Sequence, residues 1–148
     1  MAGVLPLSEE ERRFVERQRV AHLATADAGG APHVIPVCYA LVRECLYFVV
    51  DDKPKRTVHQ LKRLRNIAEN HRVALVIDEY HEDWTRLAYL LVRGIAAPVN
   101  DREEYAAVLA TLRHRYPPYR TMALQFARNP MVRIEPTARH FWCAGGAR

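Results

Sequence analysis

The chain has 148 residues, 49% hydrophobic and 26% charged, with a net charge of only +5. That composition excludes intrinsic disorder, and the length is enough to bury a core unaided. No apolar run approaches the ~20 residues of a membrane span, and three cysteines without a CxxC spacing argue against both a disulfide framework and a zinc site. MAGVLPLSEEERRF has no cationic start followed by an apolar stretch, so no signal peptide is expected. The expectation is one domain over 1–148, cytoplasmic, with Cys38, Cys45 and Cys143 as small apolar fillers.

Ser8-Glu9-Glu10-Glu11 has the spacing of a capping box ahead of Phe14 and Val15, which predicts a helix over 8–19. VAHLATA (20–26) reads as a strand, ended by the turn residues Asp27-Ala28-Gly29-Gly30. PHVIPVCYALV (32–42) is a second strand, and Pro36 inside it marks an edge or a bulge. A tight Arg43-Glu44 turn leads to CLYFVVD (45–51), so three successive strands predict an antiparallel meander. Thr57 is placed to cap a helix over 58–69, with Val58, Leu61, Leu64, Ile67 and Ala68 along one side. RVALVIDEY (72–80) and TRLAYLLVRGIAAPV (85–99) read as strands on either side of an HEDW turn. The second is long enough to bend, at Gly94. Asn100, three residues before Glu103, predicts the cap of a helix running to about 115 and ended by Pro117-Pro118. A helical turn over 121–128 and two final strands, 130–136 and 138–144, complete the chain. Helices do not alternate with strands, which excludes a doubly wound α/β fold. The prediction is a mainly β architecture: a closed or half-closed antiparallel barrel with helices outside.

The charge is unevenly placed. KPKRTVHQLKRLRN (53–66) holds six Lys or Arg and no acid, more than the net charge of the whole chain. Lys53, Lys55 and Arg56 precede the expected helix start at Thr57. Free N–H groups at a helix N-terminus favour an anion, and neighbouring cations add charge-assisted bonds to phosphate oxygens. Arg63 lies about two turns into that helix and would reach the same ligand only if the ligand is long. The competing interpretation is a solvated basic helix face. Trp84, in a polar turn after Glu82-Asp83, fits a subunit contact better than a deep core. The aromatics are not interleaved with the basic residues, and no nucleic-acid-binding signature is present, so no nucleic-acid partner is expected. The seven histidines include no HExxH pair, and there is no GxSxG or triad, so no metal site and no catalytic side chain is assigned.

The ordered set DAGGAPH, VIPVCYA, LYFVVD, LRNIAENHRV and ALVID resembles the split-barrel flavin-binding family that includes pyridoxamine 5′-phosphate oxidase. The branch most similar is the small type that uses FMN or the deazaflavin coenzyme F-420, with DKPKR and EDW similar to features of that branch. The likeness covers about residues 10–100. His71 stands where the family's helix-to-strand signature, RN(L/I)xx(D/N)PRV, usually has proline. ARHFWCAGGAR does not match the C-terminal segment with which true oxidases hold their substrate phosphate.

The resemblance implies a six- to seven-stranded antiparallel split β-barrel of the FMN-binding type, forming a homodimer. It also implies a cofactor, FMN or F-420, lying across the strands at the dimer interface. Pro36, Val37 and Cys38 on one strand, and Val49, Val50 and Asp51 on the next, would line the ring. Lys53, Lys55, Arg56 and Thr57 would hold the phosphate, Arg63 the acidic tail, and Trp84 would cover the ligand of the second subunit. The implied function is an oxidoreductase that exchanges a hydride with a small-molecule substrate, since such cofactors carry the chemistry themselves. The alternatives are a cofactor-binding protein without turnover, holding flavin or haem, and a basic nucleic-acid binder.

Overall fold

The computed structural model describes residues 6–51 and 61–146. Helix α1 (Glu9–Arg17) begins on the expected capping box: Ser8 accepts from the Glu11 N–H at 3.1 Å, and Glu11 accepts from the Ser8 N–H at 2.8 Å. Then come β1 (Ala21–Ala26), β2 (Pro32–Val37), β3 (Ala40–Val42) and β4 (Cys45–Val49). Helix α2 (Lys62–Glu69), β5 (Arg72–Glu79), β6 (Ala88–Pro98), α3 (Arg102–Arg115) and β7 (Met131–Cys143) follow. Single 3-10 turns occupy Trp84–Arg86 and Pro117–Thr121.

The seven strands form one antiparallel sheet in the order β2-β1-β5-β6-β7-β4-β3. Its two edge strands, β2 and β3, are separated in sequence by Cys38 and Tyr39 alone. Two residues bridge the two edges only if the sheet curls round on itself, so the sheet is a half-closed barrel. Inward side chains of alternating residues, among them Leu23, Leu75, Ile77, Leu90, Val92 and Ile134, form its core. Helix α3 builds a second core on the outside of β3 and β4, with Val108, Leu109 and Leu112 against Ala40, Tyr47 and Val49. Strand β4 is therefore buried on both faces, which is why CLYFV is apolar without alternation.

Four sequence expectations need correction. The segment 32–42 is two strands, and β2 does not pair with β4, so the meander is instead two hairpins at opposite edges of the sheet. Tyr39 interrupts the run. Its ring is 2% exposed, and its hydroxyl lies 2.6 Å from the Val15 carbonyl oxygen and 3.0 Å from that of Gln18, at the end of α1. Its N–H donates to the Tyr116 hydroxyl and its carbonyl accepts from Arg115. Next, the last two strands are one, because Pro136 falls at a register shift opposite Arg93 and Gly94, where the ladder is already interrupted. Third, α3 is capped by Asp101 and not Asn100; the Asp101 carboxylate accepts from the N–H groups of Glu103 and Glu104 at 3.3 Å. Fourth, α2 begins at Lys62 with Leu61 extended at its cap, so the helix starts later than expected; Thr57 lies outside the described residues.

Candidate functional site

The open seam of the barrel is the feature on which the site is built. β3 pairs with β4 only from Cys45 to Tyr47, so Phe48 and Val49 run on past the edge strand. Facing them is β2, whose outer edge has no ladder partner among the described residues. Among those residues, main-chain N–H and C=O groups along both edges are open to a ligand. Pro36 holds its place because an edge strand needs no donor there.

Between these edges lies a cavity of about 230 Å³. It is lined by Pro36, Val37, Cys38, Val49, Asp51 and Arg63 of the sequence-derived set, brought together from β2, β4 and α2. Because α2 starts at Lys62, Arg63 sits in its first turn rather than two turns in. The Arg63 Nε is buried and has no hydrogen-bond partner among the described residues. Burial lowers the guanidinium from its ordinary value, and the Asp51 carboxylate opposes that shift. An arginine stays charged through any such change, so the cavity is lined by one cation beside one carboxylate.

Val50 does not belong to this cavity. Its side chain is 1% exposed and points into the barrel core, one residue out of phase with Val49. Its main chain is also spent: the N–H donates to the Pro130 carbonyl at 2.8 Å, and the carbonyl accepts from Asn129 Nδ2 at 3.1 Å. Trp84 does not line the cavity either; it is 67% exposed on the β5–β6 connection, its indole N–H 3.5 Å from the Tyr80 hydroxyl. Lys53, Lys55, Arg56 and Thr57 lie outside the described residues.

Three lining residues were missed from the sequence: Val20, Phe48 and Tyr119. Tyr119 comes from the turn after α3, far along the chain. Arg113 pins that turn by donating to the carbonyls of Tyr119 (3.1 Å) and Met122 (2.8 Å). Burial, with Cys38 and Asp51 beside it, pushes the Tyr119 phenol well above its ordinary value, so it remains a protonated hydroxyl. Nothing local in PPYRT signals this role; only the docking of α3 on β4 brings the ring there. Asn66, in the RN signature, is structural: it is fully buried and donates to the Thr25 hydroxyl at 3.0 Å, tying α2 to β1.

Residues 7–143 match the pyridoxamine 5′-phosphate oxidase family, and the chain belongs to that family. A 5a,11a-dehydrotetracycline/5a,11a-dehydrooxytetracycline reductase of Streptomyces rimosus is 31% identical over 75 residues. That match spans about half of each chain (51% of both). Among solved structures, an F420 reductase superposes with a TM-score of 0.64 at 26% identity, covering 90% of this chain and 98% of that one. A FAD-binding protein of Mesorhizobium loti has the same fold (TM-score 0.69, 20% identity, 91% and 94% covered). So does HutZ, a haem storage protein of Vibrio cholerae (TM-score 0.70, 18% identity, 94% and 95% covered). The family is of oxidoreductase type, and its fold also serves haem binders. Among the described residues, no group of three or more His, Cys, Asp or Glu is placed to hold a metal ion, and no helix is long and apolar enough to cross a membrane.

Proposed function

We propose that this protein is an oxidoreductase that binds FMN or the deazaflavin coenzyme F-420 in the seam cavity and transfers a hydride to or from a small organic substrate. The observation that carries the proposal is a cavity lined by the half-buried Arg63 guanidinium, with open strand edges among the described residues for walls. A cation so placed favours an anionic ligand group through charge-assisted bonds. When bound, the ring supplies the hydride chemistry. The protein's part is to hold and orient it. Main-chain groups at Pro36, Val37 and Cys38 read the polar edge of the ring, Val49 packs on it, and Asp51 and Tyr119 bond hydroxyls of the side chain. Lys53, Lys55, Arg56 and Thr57 receive the phosphate, and Arg63 a further anionic group. The reductase and F420-reductase names of the two most informative matches support this assignment.

The cavity is smaller than the ~300–1,000 Å³ of sites that enclose a ligand of this size. A second copy of the chain would supply the missing wall, with the partner's Trp84 over the ring. The outer sheet face suits such a contact. Cross-strand rows place Val34 beside Ala24, Val76 beside Leu91, and Tyr89 stacked on Trp142. The homodimer is part of the proposal, as is a cytoplasmic location, where free thiols remain reduced.

The test is fluorescence titration of purified apoprotein with FMN, F-420 and haem, repeated on Lys55→Ala/Arg56→Ala and on Arg63→Ala. One of the first two is expected to bind at micromolar concentration. Each variant should weaken it by about ten- to a hundredfold, the worth of a charge-assisted bond. No binding of either cofactor overturns the proposal. Binding of haem alone turns it into a carrier.

A further inference from the structure

A second cavity, of about 170 Å³, lies toward the Cys45 end of β4, whereas the seam cavity lies toward Val49; the two share no residue. It follows from how β7 divides its pairing. β7 stays with β4 only as far as Leu46↔Ile134, then turns at Glu135 and Pro136 and continues along β6 alone. Gly94 permits the turn, since a Cβ there would stand 2.6 Å from the Glu135 carbonyl oxygen. The β3–β4 hairpin and the far half of β7 therefore diverge, and α1 with the residues before it roofs the gap.

The floor of this cavity is the barrel core itself: Val15, Leu46, Leu90 and Val92, none more than 3% exposed. Leu7, Leu41 and Pro136 extend the apolar wall. The roof is tied down. The Leu7 N–H donates to Glu44 at 3.1 Å, Arg12 pairs with the same carboxylate, and Arg139 bonds the Pro6 carbonyl at 2.9 Å and Glu11 at 3.1 Å. The Arg43-Glu44 turn holds positive φ angles of 50° and 65° without a glycine, a conformation kept where the surroundings enforce it. Among the described residues, the side chains and turn around the space are held in place by these contacts. At the rim stand Arg43 and Arg139, Glu44 and Glu135, two charges of each sign, so the opening favours neither cation nor anion.

We propose that this cavity is a second binding site, for an uncharged apolar molecule between benzene and indole in size. An apolar protein cavity of ~150 Å³ stays dry and takes up benzene, and this one matches it in volume and in the apolar lining of its floor and walls, with the charges confined to the rim. The site is independent of the cofactor assignment and stands or falls separately.

Indole is the probe. Titrated into the full-length protein and followed by methyl NMR, it should give saturable shifts at Val15, Leu46, Leu90 and Val92, and none at Val37 or Val49. Val92→Phe, which pushes a larger side chain into the space from its floor, should weaken binding by about tenfold or more while the fold is retained. Absence of saturable shifts up to the solubility limit overturns the proposal, as do shifts centred on the seam cavity or unchanged affinity in folded Val92→Phe. If Val92→Phe does not fold, crystals of the wild-type protein under xenon pressure decide: density among Leu46, Leu90 and Val92 supports the site, and its absence there overturns it.

Discussion

At the scale of single residues, the molecule is most sensitive where the backbone comes close to itself. Gly94 faces the Glu135 carbonyl and the Ile134 methyl, 2.6 and 2.8 Å from where a Cβ would lie, and neither neighbour is a flexible side-chain end. Gly94→Ala should cost about 1–3 kcal/mol, the usual range for overpacking, read as a lower urea midpoint with an unchanged slope. Arg63 is the opposite case. Its Nε satisfies nothing in the described fold, so Arg63→Ala should leave the urea midpoint nearly unchanged while it weakens cofactor binding. A large loss of stability instead would mean that the guanidinium supports the fold rather than a ligand.

Elements are joined by a few polar ties with a defined pH dependence. The α1 capping box predicts that Ser8→Ala lowers stability by about 1 kcal/mol. Helix α3 is tied to the sheet through Glu104, which accepts from Arg133 on β7 at 2.7 and 2.8 Å and from the Tyr47 hydroxyl on β4 at 2.7 Å. Burial pushes the Glu104 carboxyl up, but those bonds outweigh it and hold it below its ordinary 4.5. A carboxyl depressed by folding stabilises the native state above its unfolded-state value, and that contribution is lost as the pH falls through the folded value. Wild type should therefore exceed Glu104→Gln in stability near neutral pH, with the gap shrinking as the pH drops below 4.5. Denaturation midpoints of the two proteins at descending pH check this, and a gap independent of pH would contradict it.

For the whole molecule, the proposed function calls for a second wall supplied by another copy of the chain. Sedimentation at micromolar concentration should give a dimer. Leu91→Asp, placed in the middle of the outer sheet face, should give monomers that bind cofactor at least about tenfold more weakly, the loss of one shared wall. Trp84→Ala should keep the dimer and weaken the cofactor alone. A wild-type monomer that binds cofactor tightly would remove the shared wall from the model of the site.

Much of this was written in local pattern. The capping box of α1, the strands 20–26, 72–80 and 85–99, the edge character forced by Pro36 and the bend at Gly94 all follow from chemistry within a few residues. The chain order of these elements indicated a closed or half-closed antiparallel barrel, which the family resemblance narrowed to a split barrel. The family resemblance, rather than local pattern, pointed to Pro36 to Cys38 and Val49 to Asp51 as lining residues. What sequence could not decide were matters of tertiary closure. One apolar run, 32–42, became two strands because Tyr39 is buried against the end of α1 and takes part in bonds to Val15, Gln18, Arg115 and Tyr116. Val49 and Val50 are equivalent in composition, yet one lines the cavity and the other fills the core, since a strand alternates its faces and only packing fixes which face is which. Tyr119 reaches the cavity from 68 residues beyond Asp51 because α3 docks on β4. The sequence by itself determined most of the elements and a closed or half-closed antiparallel barrel, for these rest on short-range periodicity and turn chemistry. The seam, its cavity and the residues that meet there were decided by the closing of the sheet, which brings distant segments together.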